Sequence, residues 1–203
     1  MIEKHHWLLR LCHWINFLLL FLMIWSGILI YWAHQPYIEI PEDFAEKVGI
    51  DHRLAEGMGW HFFIMWPFAI NGLIYVGYLI LSGDWRFLFP DRQSFKEVIP
   101  VILHDLKLRS EAPPLRGKYN AAQRVAYFLV VLMGIGSLVT GLAIYKPVQV
   151  GWLTKLLGGY QAARFEHFIL MIGFVLFFIV HVTQVARAGW NNLRSMIAGY
   201  ELE

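Results

Sequence analysis

The chain has 203 residues, 58% hydrophobic and 16% charged, with a mean hydropathy of +0.49. Soluble domains carry about a quarter charged residues, so this composition excludes an ordinary water-soluble globule. A net charge of +2, spread over scattered Lys and Arg, offers no basic stripe for nucleic acid, and the one cysteine, Cys12, cannot build an intrachain disulfide, a zinc cluster or an iron–sulfur site from this chain alone.

Four stretches reach the roughly 20 apolar residues that a helix needs to cross a bilayer. They run over about 11–33, 60–82, 125–145 and 165–186, and the only Asp, Glu, Lys or Arg among them is Glu166. The first follows Lys4 and Arg10 as a secretory signal would. Its apolar run is too long for a signal core and no small-x-small cleavage site follows, so it is read as a retained helix. Segment 34–59 is acidic, with Glu39, Glu42, Asp43, Glu46, Asp51 and Glu56. Within 83–120, the run SFKEVIPVILHDLKLR mixes apolar residues with Lys96, Lys107 and Arg109, which predicts a short interfacial helix broken or kinked near Pro100. No low-complexity linker interrupts residues 1–203, so one domain is expected. The expected fold is all-α, an integral membrane four-helix bundle.

Basic residues set the expected orientation. The N-terminus, the 83–124 connection and the C-terminus hold twelve Lys and Arg, and the opposite side holds five. The positive-inside rule therefore places both termini in the cytoplasm. Trp7, Trp14, Trp32, Trp60, Trp85, Trp152 and Trp190 fall near span ends, where indoles anchor helices at the interface.

The chain contains nine histidines, and four of them, His13, His61, His167 and His181, lie inside spans. The other five, His5, His6, His34, His52 and His104, fall at span ends or in loops and are read as solvated or interfacial. Ionisable residues within a membrane are rare and usually functional. With both termini inside, His13 and His181 sit toward the cytoplasmic face, and His61 and His167 toward the outer face. His167 and His181 are fourteen residues apart, about 3.9 turns, so they share a helix face some 21 Å apart. Two imidazoles at each of two depths, with no thiolate or carboxylate, are too few for a closed zinc site and lack the third ligand of a copper centre. They match b-type haem, whose porphyrin supplies four nitrogens and asks only for axial ligands. No C-x-x-C-H is present for covalent attachment. Two haem b groups are therefore expected, both with bis-histidine ligation.

Arg10 and Arg164 each precede a span histidine by three residues, one helical turn, which puts them where haem propionates would point. Arg10 reads equally well as a flanking cytoplasmic charge. Gly27, Gly72, Gly77, Gly134, Gly136, Gly141 and Gly173 recur in the spans, either for close helix packing or to admit a flat macrocycle.

With RLCHW in the first span, WHFF in the second and ARFEH…FIVHV in the fourth, the chain resembles the prokaryotic di-haem cytochrome b family over nearly its whole length. That family includes the membrane cytochrome subunits of nickel–iron hydrogenases, formate dehydrogenase-N and thiosulfate reductase. The resemblance implies that His13 and His181 ligate an inner haem, and His61 and His167 an outer one. GKYNAAQR, 117–124, resembles the family segment in which an Asn helps to bind quinone, with Asn120 at that position and Ala122 where the formate dehydrogenase cytochrome has glycine. Asn120 reads equally as an N-cap. The resemblance further implies an inner-membrane subunit that exchanges electrons between quinone and a periplasmic molybdopterin or iron–sulfur oxidoreductase. Single-subunit superoxide:quinone oxidoreductases are the alternative.

Overall fold

The structure is a computed structural model and describes residues 2–3, 5–32, 36–115 and 117–201. The last residue of the first expected span, Ala33, together with Lys4, His34 and Arg116, lies outside them. Four long helices dominate: α1 (Trp7–Tyr31), α3 (Leu54–Ser82), α6 (Ala121–Tyr145) and α8 (Tyr160–Ala188), with α2 (Glu42–Lys47), α4 (Trp85–Leu88), α5 (Arg92–Asp105), α7 (Gly151–Leu156) and α9 (Trp190–Ala198) in the connections and at the C-terminal end. Strands β1 (Ile2–Glu3) and β2 (Tyr200–Glu201) pair antiparallel, joining the two ends of the chain. All four long helices have the length and composition to cross a membrane. Apolar side chains point outward along them, as at Leu81, 90% exposed, and Phe63, 70% exposed. In water such surface would be costly; in lipid it is the contact face.

Each boundary has a local cause. α6 starts at a capping box: Asn120 Oδ1 accepts from Gln123 N at 2.8 Å, and Gln123 Oε1 accepts from Asn120 N at 3.0 Å. α5 starts where Asp91 Oδ1 accepts from both the backbone N–H and the hydroxyl of Ser94 at 2.7 Å. Those short bonds, with Arg124 at 3.6 Å, hold the Asp91 carboxyl below its ordinary range. α8 ends at Gly189, whose φ of 82° is left-handed backbone that glycine adopts at least cost. The connection helix is where the residues predicted it, but α5 is one continuous helix through Pro100, with no break. α3 likewise continues through Pro67. A proline removes one N–H from the ladder, and in each case the turns on both sides remain helical.

The chain forms two compact units, residues 1–77 with 191–203, and residues 78–190. In the first, α1 and α3 form an antiparallel pair. Leu29 packs on Gly57, where an added Cβ would lie 2.8 Å from Leu29 Cβ and 3.1 Å from Ser26 O. Asn71 Nδ2 donates to Cys12 O at 3.0 Å. In the second, α6 and α8 pair antiparallel around Ala143, Leu153 and Ala163, and Thr154 Oγ1 donates to Ala143 O at 3.2 Å. Gly136 lies against Leu170 and Gly173 against Met133, so these two glycines serve helix packing.

Candidate cofactor site

His61, on α3, has its Nδ1 3.0 Å from Ser26 Oγ of α1. His167, on α8, has its Nδ1 2.8 Å from Thr140 Oγ1 of α6. Both hydroxyls also bond a carbonyl one turn back on their own helix, Ser26 to Leu22 O at 2.8 Å and Thr140 to Gly136 O at 2.7 Å. The residue after each hydroxyl is a glycine lying against the imidazole. A Cβ at Gly27 would come 3.6 Å from His61 Cε1, and one at Gly141 would come 3.3 Å from His167 Cε1. Three residues after each hydroxyl stands a fully buried residue, Leu29 or Ala143, and four residues before each histidine stands a buried small one, Gly57 or Ala163. The two helix pairs therefore repeat one arrangement: Ser-Gly with His-Phe in the first unit, Thr-Gly with His-Phe in the second.

The other two histidines depart from that repeat. Fourteen residues after His167 comes His181, but fourteen after His61 comes Tyr75. In the first unit the second histidine is His13 on α1, next to Cys12, whose carbonyl Asn71 holds. The Ser26–His61 bond places His61 level with Ser26, thirteen residues or about 20 Å along α1 from His13. In the second unit, Thr140 meets His167, Gly136 meets Leu170 and Met133 meets Gly173. That register carries His181 level with Val125, near the start of α6. His181 stacks on Phe177, with ring centroids 5.5 Å apart and planes at 16°. Each unit thus presents two span histidines at depths about 20 Å apart, and each carries one member of both expected pairs.

The residues expected around the cofactor have protein partners. Arg10 Nη1 donates to Ile197 O and Trp14 Nε1 donates to Met196 O at 3.0 Å, so both side chains hold the last carbonyls of α9. Arg164 Nη1 donates to Gln161 Oε1 at 3.1 Å. Asn120 is the N-cap described above. Beside it, Asp91, Ser94, Glu97, Tyr119, Ala121 and Arg124 line a recess of about 10 Å³, smaller than a quinone ring. Arg124 Nη2 donates to Phe89 O, while its Nε is buried without a hydrogen-bond partner.

The donor set fits haem. Among the described residues no three His, Cys, Asp or Glu side chains cluster to hold a bare metal ion. Two imidazoles instead stand with Nδ1 bonded to a hydroxyl, the arrangement that orients a histidine ligand through its other nitrogen. A glycine beside each ring leaves room at its Cε1 and Nδ1 edge.

The family profile described as prokaryotic cytochrome b561 matches residues 4–199. The chain belongs to that family. It is also 37% identical over 193 residues, 95% of its own length and 94% of the relative's, to a protein of Azospira oryzae called putative protein-methionine-sulfoxide reductase subunit YedZ1. The family consists of membrane electron-transfer cytochromes and implies haem b binding. With four membrane-length helices, this cytochrome b is a multi-pass bacterial membrane protein.

Ser26 and Thr140 were the residues that sequence reading missed. The available signal was the pairing of hydroxyl-Gly with a later His-Phe, once in each half of the chain.

Proposed function

We propose that this cytochrome passes electrons between the quinone pool of the inner membrane and a periplasmic oxidoreductase. His61 and His167 would hold one b haem toward the outer face, and His13 and His181 a second toward the cytoplasm. The two units would act as a single di-haem domain. The carrying observation is that each unit presents two span histidines about 20 Å apart in depth. Each haem, when bound, supplies a one-electron carrier. Two imidazoles for each haem would leave no position for small ligands and would suit the group to electron transfer.

Two features support a quinone site at the start of α6. By the α6–α8 register His181 is level with Val125, next in sequence to Arg124 and five residues along α6 from Asn120. Arg124 Nε is a buried donor of the kind a quinone carbonyl accepts. The recess beside it would have to widen to admit the ring. The relative's name supports a reductase as partner, with oxidised methionine in proteins as the first substrate class to test. Flow is then outward: a quinol releases two electrons and two protons, and a sulfoxide takes up two of each to give thioether and water.

The test uses the full chain purified in detergent. A pyridine haemochrome assay should give two haems per polypeptide, all removable by acid acetone. A quinol analogue should reduce both haems, and the partner reductase with methionine sulfoxide should reoxidise them. Reduction by superoxide with no response to the reductase would instead favour a stand-alone superoxide:quinone oxidoreductase.

A further inference from the structure

We propose that Ser26 and Thr140 are matched positioning residues that set the tautomer of both axial ligands of the outer haem and hold its potential down. This rests on the outer pairing of His61 with His167 proposed above.

A hydroxyl has one proton to give and lone pairs to accept with. Carbonyl oxygens only accept. Ser26 Oγ stands 2.8 Å from Leu22 O and Thr140 Oγ1 stands 2.7 Å from Gly136 O, so each hydroxyl proton is directed along its own helix. The lone pairs then face His61 Nδ1 at 3.0 Å and His167 Nδ1 at 2.8 Å, which makes both ring nitrogens donors. An imidazole protonated at Nδ1 has its ligating lone pair on Nε2. Within a span no water competes for the Nδ1 proton, so the hydroxyl fixes both the tautomer and the rotation of the ring.

A serine or threonine hydroxyl bonded one turn back is common in membrane helices and by itself means little. The repeat makes it more. Both hydroxyls are followed by a glycine against the imidazole, and both precede by three residues a fully buried packing position opposite a small residue four before the histidine. Helix packing alone requires small residues there, not an oxygen at one defined atom of the ring.

An acceptor on Nδ1–H pushes electron density toward Nε2 and makes the ligand more basic. A more basic ligand favours ferric over ferrous iron. With one such bond on each ligand, the outer potential is lowered twice, so an electron there is held less tightly and passes more readily to a docked partner.

The test is a redox titration of the purified holoprotein carrying Ser26→Ala, Thr140→Val, or the conservative changes Ser26→Thr and Thr140→Ser. Haem content is measured first, since a count other than two in the unmutated chain overturns the underlying reading and not the hydroxyl role. At two haems, S26A and T140V should each raise the midpoint of the same optical component and leave the other in place. S26T and T140S should restore it. Loss of one haem from S26A with retention in S26T also supports the role. Unmoved midpoints at full haem content, or conservative variants that shift as far as S26A and T140V, overturn it. Shifts in two different components would separate the two hydroxyls and overturn the matched pair.

Discussion

Gly141 lies closer to His167 than Gly27 does to His61: a methyl group would come within 3.3 Å of Cε1 in the first case and 3.6 Å in the second. The shorter distance is tighter than ordinary contact, and the ring it presses on is tied to Thr140. Gly141→Ala should therefore rotate the imidazole or stretch that bond, while Gly27→Ala should be accommodated. Measured on purified protein, G141A should broaden or shift one haem component and G27A leave the spectrum as it was. Equal spectra would mean that the glycine does not shape the ring's seat.

Gly57 makes the tightest approach within the first unit. A Cβ there meets Leu29 Cβ at 2.8 Å and backbone atoms of Ser26 and Ile30 at 3.1 Å, none of which can swing aside. Gly57→Ala should cost about 1–3 kcal/mol, as overpacking generally does, and should lower the temperature at which the haem absorbance is lost. Gly72→Ala, where a Cβ meets nothing within 4 Å, is the control and should leave it unchanged.

Much of this was legible in the residues. The spans showed because lipid demands long apolar runs, and the helices extend them by up to six residues at their ends, as in α3, which starts at Leu54 rather than 60. The separation of His167 from His181 follows from helical rise alone. Of the break or kink expected near Pro100, the break is absent, because the flanking turns of α5 stay helical. Arg10 could not be assigned from spacing, since its partner, Ile197, lies 187 residues away. The hydroxyl behind each histidine was hidden for the same reason. Ser26 and His61 meet only once α1 and α3 pack, and Ser26 stands out in the sequence only when Ser26-Gly27 with His61-Phe62 is set beside Thr140-Gly141 with His167-Phe168.

The proposed pairing of histidines makes its own prediction. His61→Ala and His167→Ala should remove the same spectral component, and His13→Ala and His181→Ala the other. If His61→Ala and His181→Ala gave one spectrum and the other two variants a second, the assignment of the histidines to two levels would be wrong.

The cap of α5 carries a pH dependence. Bonds from Ser94, then the charge of Arg124, lower the Asp91 pKa in the folded state. A depressed carboxyl contributes stability above its unfolded value, about 3.9, and that contribution is lost as pH falls through the folded value. After correction for intrinsic exchange, the amide protection of Ser94 should hold steady from neutral pH to about 5 and decline below about 4. Asp91→Asn keeps an acceptor for the cap but cannot titrate, so its protection should not follow pH in that window. An identical decline in D91N would place the effect elsewhere.

Asn120 can be tested for its cap and its amide separately. Its Oδ1 holds Gln123 N at 2.8 Å, so Asn120→Ala removes the cap and should cost about 1 kcal/mol of helix stability. Asn120→Ser keeps a capping oxygen and loses only the amide donor. If that amide meets a quinone carbonyl, N120S should retain both haems and normal exchange with an artificial outer donor. Its reduction by a quinol analogue should slow about tenfold, the worth of one hydrogen bond. Arg124 offers the competing donor through its buried Nε, and Arg124→Lys removes that atom while keeping the charge. Slow quinol reduction in R124K with wild-type rates in N120S would give the carbonyl to Arg124 and leave Asn120 as the cap alone. Wild-type rates in both would move the quinone away from the start of α6.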